Sequence, residues 1–208
     1  MKDLSDEQLV GLYLTGNEEA LETLIRRYFK RVFNFTARYI GSAKEAEDLT
    51  QEVFMKVWQG LRKFDQNRNF QTWMWRIVRN ICVDYLRRKK PIAFSALEND
   101  KDGEQLSDKI ADTGESIIEE INKKELAREM QEHLAKLSGH SREIILLRYG
   151  QRMTFKEIAE LLGEPIDTVK SRSRRALLFL RKRIAGGKMH QKGPSTRIYR
   201  YEGQKDQF

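Results

Sequence analysis

Apolar residues recur at every third or fourth position along most of the chain, which is the spacing of amphipathic helices. The sequence contains no convincing run of alternating β-branched and polar residues, the pattern of a strand. The spacing therefore predicts an all-α fold. Within the first 90 residues we predict four helices: a short one capped by Ser5, a second from Asn17 to Gly41, a third that starts after Ser42, and a fourth from about Phe70 to Lys89.

Capping signals support these boundaries. Ser5 to Gln8, Ser42 to Glu45 and Thr154 to Glu157 each place a hydroxyl three residues before a Gln or Glu, which is the spacing of a capping box. Gly41 and Pro91 stand where the second and fourth helices are predicted to end. Glycine accepts a left-handed C-terminal conformation, and a helix usually ends before proline.

Composition divides the chain into four segments. Residues 1–90 hold enough helix to bury a core, so we predict a compact four-helix bundle. Residues 91–116 are acidic and weakly periodic, and we predict a linker. Residues 117–186 form a predicted second helical domain. Its predicted helices are Ile117 to Leu137, Ser141 to Tyr149, Phe155 to Leu162 and one from about Ile166. Residues 187–208 are polar and basic and are predicted to be disordered.

The last two predicted helices form a helix-turn-helix, with Gly163 at the turn. The second helix has an apolar face: Val169, Ser173, Ala176, Leu177, Leu180 and Ile184. Its other side carries Ser171, Arg174, Arg175 and Lys182, flanked by Lys170 and Arg172. A helix buried on one side and cationic on the other fits the major groove of DNA, where Arg or Lys can bind guanine. An ordinary cationic surface helix is the alternative.

The charge is unevenly distributed. The chain has a net charge of +8, yet residues 91–116 contain seven acidic and two basic residues. Residues 62–90 contain nine basic and two acidic residues, and residues 140–208 contain sixteen and seven. Two basic blocks on either side of an acidic segment favour two contacts with one polyanion. Scattered solvated helix faces are the alternative explanation.

The third helix carries acidic and apolar side chains together on the face opposite its core: Asp48, Gln51, Glu52, Met55 and Gln59, with Trp58 at the border. Carboxylates bind nucleic acid poorly. Exposed apolar side chains supply contact area, however, and carboxylates can select a basic protein partner. These residues can form a protein-docking face, although a solvated helix face with partly buried aromatics is the more common arrangement for such a pattern.

The fourth helix has the opposite charge. Its predicted inward stripe is Phe70, Trp73, Met74, Ile77 and Ile81, whereas Trp75, Arg76, Arg79, Leu86 and Arg87 lie away from that stripe. An exposed Trp beside arginines suits stacking on unpaired bases. The preceding polar loop, Asn67 to Asn69, suits the edge of a flipped base.

Two sets of residues resemble the bacterial RNA polymerase sigma factors, in their extracytoplasmic-function form. Asp48 to Phe54, Phe70 to Asn80 and Asp84 to Arg88 resemble the second conserved region of that family. Thr154 to Arg175 resembles the fourth region. The resemblance covers about residues 5–90 and 120–185 and implies a two-domain, all-α subunit that binds core polymerase, recognises the −10 and −35 promoter elements and assists strand opening.

The resemblance also implies roles for individual residues. The implied contacts to the clamp coiled coil of the largest polymerase subunit are Asp48, Leu49, Gln51, Glu52, Phe54, Met55, Trp58 and Gln59. The implied −10 contacts are Asn67, Arg68, Asn69, Phe70, Trp75, Arg76, Arg79, Asn80, Asp84, Arg87 and Arg88. The implied −35 contacts are Thr168, Lys170, Ser171, Arg172, Arg174 and Arg175. Promoter DNA would be bound as duplex and as single strand. The flap of the second-largest subunit and an anti-sigma protein are further implied partners.

The sequence offers little support for an enzyme. The three histidines and Cys82 lack metal-ligand spacing, and no phosphate-binding glycine loop is present, so we predict no catalytic residue, metal or cofactor. Cys82 is predicted to be a packing residue. No stretch is apolar enough for membrane insertion, no signal peptide is evident, and one cysteine fits the cytoplasm. A stand-alone helix-turn-helix regulator stays open as an alternative.

Overall fold

The computed structural model describes residue 1, residues 3–89 and residues 128–187, with side chains up to residue 184. The predicted linker 91–116, most of the predicted helix 117–137 and the tail from residue 188 onward lie outside the described residues. Every regular element of the described residues is helical, in agreement with the all-α prediction.

Helices α1 to α4 form the amino-terminal bundle. Their bounds are Asp6–Leu14 for α1, Glu18–Ile40 for α2, Ala43–Gly60 for α3 and Phe70–Lys89 for α4, with a short 3-10 turn, Leu61–Lys63, after α3. The predicted caps are present: Ser5 and Gln8 form a capping box, Asn17 caps α2, and Gly41 adopts the left-handed conformation. The capping box predicted at Ser42 forms only in part. The Ser42 hydroxyl accepts a hydrogen bond from the Glu45 backbone, but the Glu45 carboxylate bonds to Lys89 and not to the backbone of Ser42.

Helices α5 to α8 form the carboxyl-terminal module. The described part of α5 covers residues 128–135, and α6 is Gly139–Ile145, followed by a π-helical turn, Leu146–Gly150. The helix-turn-helix consists of α7, Phe155–Leu162, and α8, Ile166–Gly187. Thr154 and Glu157 form the predicted capping box, and Gly163 ends α7 with φ 69°. This positive φ is one that glycine adopts without strain.

Two tryptophans of α4 differ in burial from what the sequence predicted. Trp75, predicted to be exposed, is 0% exposed, and its ring packs on Phe35 of α2 with centroids 5.1 Å apart. Trp73, predicted to be buried, is only half-buried, against Phe64 and Phe70. The physical reason is that α4 is covered on two sides, by the amino-terminal bundle and by α7, so no single inward stripe describes it.

The two halves of the described chain pack against each other. Helix α4 contacts α7, and α2 contacts α6 and the π-helical turn. Buried apolar residues of both halves belong to one continuous cluster, which extends from Leu9 to Leu180. The two halves of the described chain therefore share one apolar core.

Candidate DNA and polymerase interfaces

The acidic face of α3 is exposed as predicted. Met55 is 58% exposed and Trp58 is 50% exposed, and the side chains of Asp48, Gln51 and Gln59 are also exposed. Glu52 is half-buried and lies 3.5 Å from Lys56. The Trp58 indole donates a hydrogen bond to the Tyr13 hydroxyl at 2.6 Å, which fixes the ring on the surface. The face therefore combines exposed apolar groups with carboxylates.

Two predicted members of this face behave differently. Leu49 is 5% exposed and belongs to the core, so it supports the face from beneath and does not contact a partner directly. Phe54 is half-buried and stacks on Phe29 of α2, with ring centroids 5.9 Å apart. Phe29 is itself 50% exposed and was missed by the sequence analysis. The sequence did contain a signal for this exposed ring, because Phe29 is an aromatic residue at a position outside the apolar face of α2.

The loop before α4 is exposed and internally ordered. The Asp65 carboxylate accepts hydrogen bonds from the backbone and side-chain nitrogens of Asn67, at 3.0 and 3.1 Å. Asn69 caps α4 by accepting a bond from the Thr72 backbone at 2.8 Å. Arg68 is exposed and lies 3.6 Å from Asp65. The predicted loop residues thus form a fixed polar projection, although part of the Asn69 side chain is committed to the cap.

The basic residues of α4 fall into two groups. Arg76 and Arg79 bond to the carboxyl-terminal module, at 3.0 Å to the Glu160 carbonyl and 2.8 Å to the Glu143 carboxylate. The remaining predicted −10 residues beyond them are exposed: Asn80, Asp84, Arg87 and Arg88. The structure therefore separates two arginines of the predicted −10 set from the solvent-facing members.

Two predicted −10 residues are part of the core. Trp75 is fully enclosed, and Phe70 is 1% exposed with its ring against Phe64 and Tyr28. Direct stacking of either ring on a base is incompatible with this packing. Trp73 is the α4 tryptophan with a partly exposed ring, and its contacts with Phe64 and Phe70 place it beside the exposed loop.

Helix α8 presents a cationic surface. Lys170, Ser171, Arg174 and Arg175 are exposed, and Thr168 is half-buried. Arg172 differs from the prediction, because its guanidinium bonds both carboxylate oxygens of Glu164 at 2.7 and 2.6 Å. This pair ties the turn to α8. Arg172 therefore positions the helix, and the exposed side chains are the ones available to DNA.

An open groove lies beside the cationic surface of α8. It has a volume of about 410 Å³, and its walls include Tyr149, Phe155, Leu177 and Leu178. Leu177 was predicted to face inward, yet it is 39% exposed. The groove is apolar with basic residues at its rim, which is a surface suited to a protein contact.

A buried carboxylate lies between the two halves. Glu143 is 1% exposed, and burial raises the pKa of its carboxyl from 4.5 to about 7, although Arg79 acts in the opposite direction. Tyr39 on α2, Cys82 on α4 and Glu164 after α7 are the other titratable groups in its electrostatic environment. A raised folded-state pKa stabilises the fold at low pH, and this stabilisation is lost as pH rises from about 4.5 to 7.

We expect Glu143→Gln to remove this pH dependence, because the amide keeps the shape and an acceptor for Arg79 but does not ionise. Relative to the variant, the wild type is expected to lose up to about 3 kcal/mol of unfolding free energy between pH 5 and 8. Urea unfolding of both proteins at pH 5 and pH 8 measures this change in unfolding free energy. Exposed Glu160→Gln is the control, and equal pH dependence in wild type and Glu143→Gln would contradict the assignment.

Cys82 is a packing residue, as predicted. It is fully buried, and burial raises the pKa of its thiol to about 12. Among the described residues, no group of three or more His, Cys, Asp and Glu side chains is arranged to hold a metal ion. Within the same part of the chain, none of the helices combines the length and apolar character needed to cross a membrane.

Comparison with known proteins identifies the family. The models Sigma-70 region 2 and Sigma-70, region 4 match residues 24–92 and 133–182. The ECF RNA polymerase sigma factor SigW of Bacillus subtilis (strain 168) is 31% identical over 170 residues, which is 81% of this chain and 91% of SigW. The chain belongs to the ECF RNA polymerase sigma factors. The ECF RNA polymerase sigma-E factor of Escherichia coli (strain K12) is 30% identical to this sigma factor, covering 84% of it and 92% of the relative.

Solved structures share the fold of this sigma factor. CnrH, in complex with the cytosolic domain of CnrY, matches with 26% identity and a TM-score of 0.64, covering 87% of this chain and 97% of CnrH. Bartonella quintana RpoE, in complex with the anti-sigma factor NepR, matches with 22% identity and a TM-score of 0.63, over 79% and 96% of the two chains. This sigma factor therefore recognises promoters in transcription initiation, with sigma-70 regions 2 and 4 in its two halves.

Proposed function

We propose that this sigma factor divides its work among three surfaces. The acidic face of α3 docks on core RNA polymerase, at the clamp coiled coil of the largest subunit. The loop 67–69 and the basic residues of α4 bind and help open the −10 element, and the exposed side of α8 binds the −35 element. The chain is a non-catalytic subunit, and it works in the cytoplasm, where polymerase and promoter DNA meet.

The observation that carries this proposal is the opposite charge of two faces of one bundle. The α3 face exposes Met55 and Trp58 among carboxylates, whereas the loop and the end of α4 expose Arg68, Arg87 and Arg88. A phosphate backbone favours the second face and disfavours the first. A protein partner with basic residues suits the first. A duplex-binding regulator has no need of this pair of faces.

The fixed loop supports strand opening. Because Asp65 and the Asn69 cap hold the loop in one conformation, its polar groups are arranged before DNA arrives. Binding then costs little ordering of the loop. A flipped base can donate and accept hydrogen bonds there, beside the partly exposed ring of Trp73. Arg76 and Arg79 can join this surface once their present contacts are released.

The groove beside α8 supports a further protein contact. Its apolar walls and basic rim fit an amphipathic, acidic segment, and we assign it to the flap of the second-largest polymerase subunit. An anti-sigma protein is a second partner of the chain. Its support is the solved complex of CnrH, whose fold is similar to that of this chain, with the cytosolic domain of CnrY.

Reconstitution with core polymerase tests the function. The purified chain is expected to co-elute with core enzyme and to produce specific transcript starts only in its presence, and sequencing of those starts identifies the −10 and −35 elements. Tight binding of the chain alone to a duplex operator, without co-elution, would contradict the proposal and favour a stand-alone regulator.

Arg174→Ala tests the −35 surface. The arginine is exposed in the middle of the cationic side of α8, so its loss is expected to weaken promoter binding by about 1–3 kcal/mol if it contacts a base bidentately. The measurement is the affinity of reconstituted holoenzyme for the mapped promoter and for the same promoter with a scrambled −35 element. Arg26→Ala is the matched control, because it removes an exposed arginine of α2 that lies outside the proposed surfaces. An equal loss on both promoters would show a phosphate contact only.

A further inference from the structure

Helix α1 contacts the start of α4. The Glu7 carboxylate accepts a hydrogen bond from the Phe70 backbone N–H at 3.0 Å, although the two residues are 63 positions apart in the sequence. Phe70 is the first residue of α4, and the first N–H groups of a helix have no acceptor within it. Asn69 accepts the bond from Thr72. Glu7 therefore adds, from another helix, a second acceptor to the cap that Asn69 begins.

The Glu7 acceptor is charged. Partial burial acts to raise the pKa of its carboxyl, but hydrogen bonds from the Phe70 backbone, the Glu7 backbone and the Ser5 side chain outweigh it, and the pKa lies below its ordinary value. Ionised acceptors form stronger hydrogen bonds than neutral ones, and a negative charge is favourable at the N-terminal end of a helix. The contact between α1 and α4 is therefore charge-assisted at neutral pH.

Phe70 is also held through its ring. Asp6, the neighbour of Glu7, accepts hydrogen bonds from Arg27 and from the Tyr28 hydroxyl, both on α2. The Tyr28 ring packs on the ring of Phe70, with centroids 6.0 Å apart. Two adjacent carboxylates of α1 thus fix the same residue, Glu7 at its N–H and Asp6 through Tyr28.

The loop before α4, residues 65–69, contacts α1 at a second point. The Gln66 side-chain oxygen lies 3.4 Å from the position that a Cβ on Gly11 would occupy. All five loop residues are exposed, so no buried side chain of the loop fixes its position. Helix α1, in contrast, contributes two fully buried residues to the core, Leu9 and Val10. The loop is therefore attached to a fixed helix on both sides of residues 67–69, at Gln66 and at Phe70.

We propose that Glu7 is a positioning residue for −10 recognition, which holds the junction of the loop and α4 so that residues 67–69 are arranged to receive an unpaired base. Helix α1 carries none of the residues assigned above to the −10 element. This inference rests on the proposed function, in which the loop binds that element.

Loss of the Glu7 bond is expected to affect sequence discrimination more than total DNA affinity. Without the bond, the loop has to be ordered when DNA binds, and this cost weakens binding of the correct base. Phosphate contacts at the end of α4, such as those of Arg88, do not depend on the bond and carry no sequence information.

Three substitutions of Glu7 separate the reach of the acceptor from its charge. Glu7→Ala removes the acceptor. Glu7→Asp keeps the charge but is one methylene shorter, so its carboxylate no longer reaches the Phe70 N–H. Glu7→Gln keeps the reach and a carbonyl oxygen but loses the charge.

The measurement is the affinity of reconstituted holoenzyme for promoter forks whose −10 element is unpaired and has either its mapped or a scrambled sequence. The ratio of the two affinities is expected to fall by about tenfold in Glu7→Ala and Glu7→Asp, and to be largely retained in Glu7→Gln. A ratio equal to that of the wild type in both Glu7→Ala and Glu7→Asp would overturn the positioning role. An equal fall in Glu7→Gln would assign the effect to charge alone and contradict it as well.

Binding to core polymerase and discrimination at the −35 element distinguish positioning from a general loss of structure. Both are expected to be unchanged in Glu7→Ala. Asp3→Ala is the matched control, because it removes an exposed carboxylate just before α1. A parallel fall in −35 discrimination, or an equal loss of −10 discrimination in Asp3→Ala, would contradict the assignment.

Hydrogen exchange of the Phe70 amide tests the contact in the free chain, without DNA. Exchange is expected to be about tenfold faster in Glu7→Ala and Glu7→Asp than in the wild type, because the amide loses its acceptor. Unchanged exchange would overturn the contact. A wild-type holoenzyme that does not distinguish the mapped from the scrambled −10 sequence, with the amide still protected by Glu7, would instead contradict the proposed function of the loop.

Discussion

Asp48→Lys combined with Glu52→Lys is expected to abolish the association of this sigma factor with core RNA polymerase. Both changes reverse the charge of the exposed α3 face, so a basic partner meets like charges. Like-charge contact across an interface costs several kcal/mol, which is a loss of on the order of 100-fold or more. Co-elution with core enzyme and run-off transcription measure the effect.

The fold is expected to survive this double change. Glu52→Lys places a second cation near Lys56 on one helix face, but such exposed pairs contribute only about 0.2–0.5 kcal/mol. Glu18→Lys with Glu22→Lys is the matched control, because it makes the same charge change at the same spacing on α2. Unaltered polymerase affinity in the α3 variant, or an equal loss in the α2 variant, would remove the face from the docking surface.

Trp75→Ala is expected to destabilise the protein by about 3–5 kcal/mol, because it leaves a cavity where a fully buried ring packs on Phe35. Chemical denaturation measures the change. Trp75→Phe keeps an aromatic ring in the site, so it is expected to retain much of the stability and normal promoter opening.

Trp58→Ala is the control for residue type. That ring is half-exposed, so its loss is expected to change stability little and to weaken polymerase binding instead. The two variants thus distinguish a loss of folding stability, expected for Trp75→Ala, from a loss of polymerase binding, expected for Trp58→Ala. A Trp75→Ala protein of normal stability that fails to open promoters would instead restore Trp75 as a base-stacking residue.

Local sequence signals predicted the helices well. The caps at Ser5, Asn17 and Thr154 and the left-handed Gly41 and Gly163 depend on contacts within a few residues, which the sequence contains directly. The exposure of Met55 and Trp58 was also predictable, because α3 has one buried side. The docking role of that surface is a prediction that binding experiments will test.

The errors on α4 have a common cause. A periodicity argument assumes one inward face, whereas α4 is covered by α2 and α3 on one side and by α7 on another. Trp75 was therefore assigned to solvent and Trp73 to the core. The bonds of Arg76 and Arg142 are to backbone carbonyls, which every residue has, so no residue type in the sequence marks them.

The enclosure of Cys82 limits how the chain can respond to its surroundings. Peroxides oxidise thiolates, and this buried sulfur, the chain's single cysteine, is held as the neutral thiol beside Thr36. A folded molecule is therefore insensitive to oxidants at this position. If transcription from its promoters responds to oxidative stress, the thiol of Cys82 in the folded chain is therefore not the sensor.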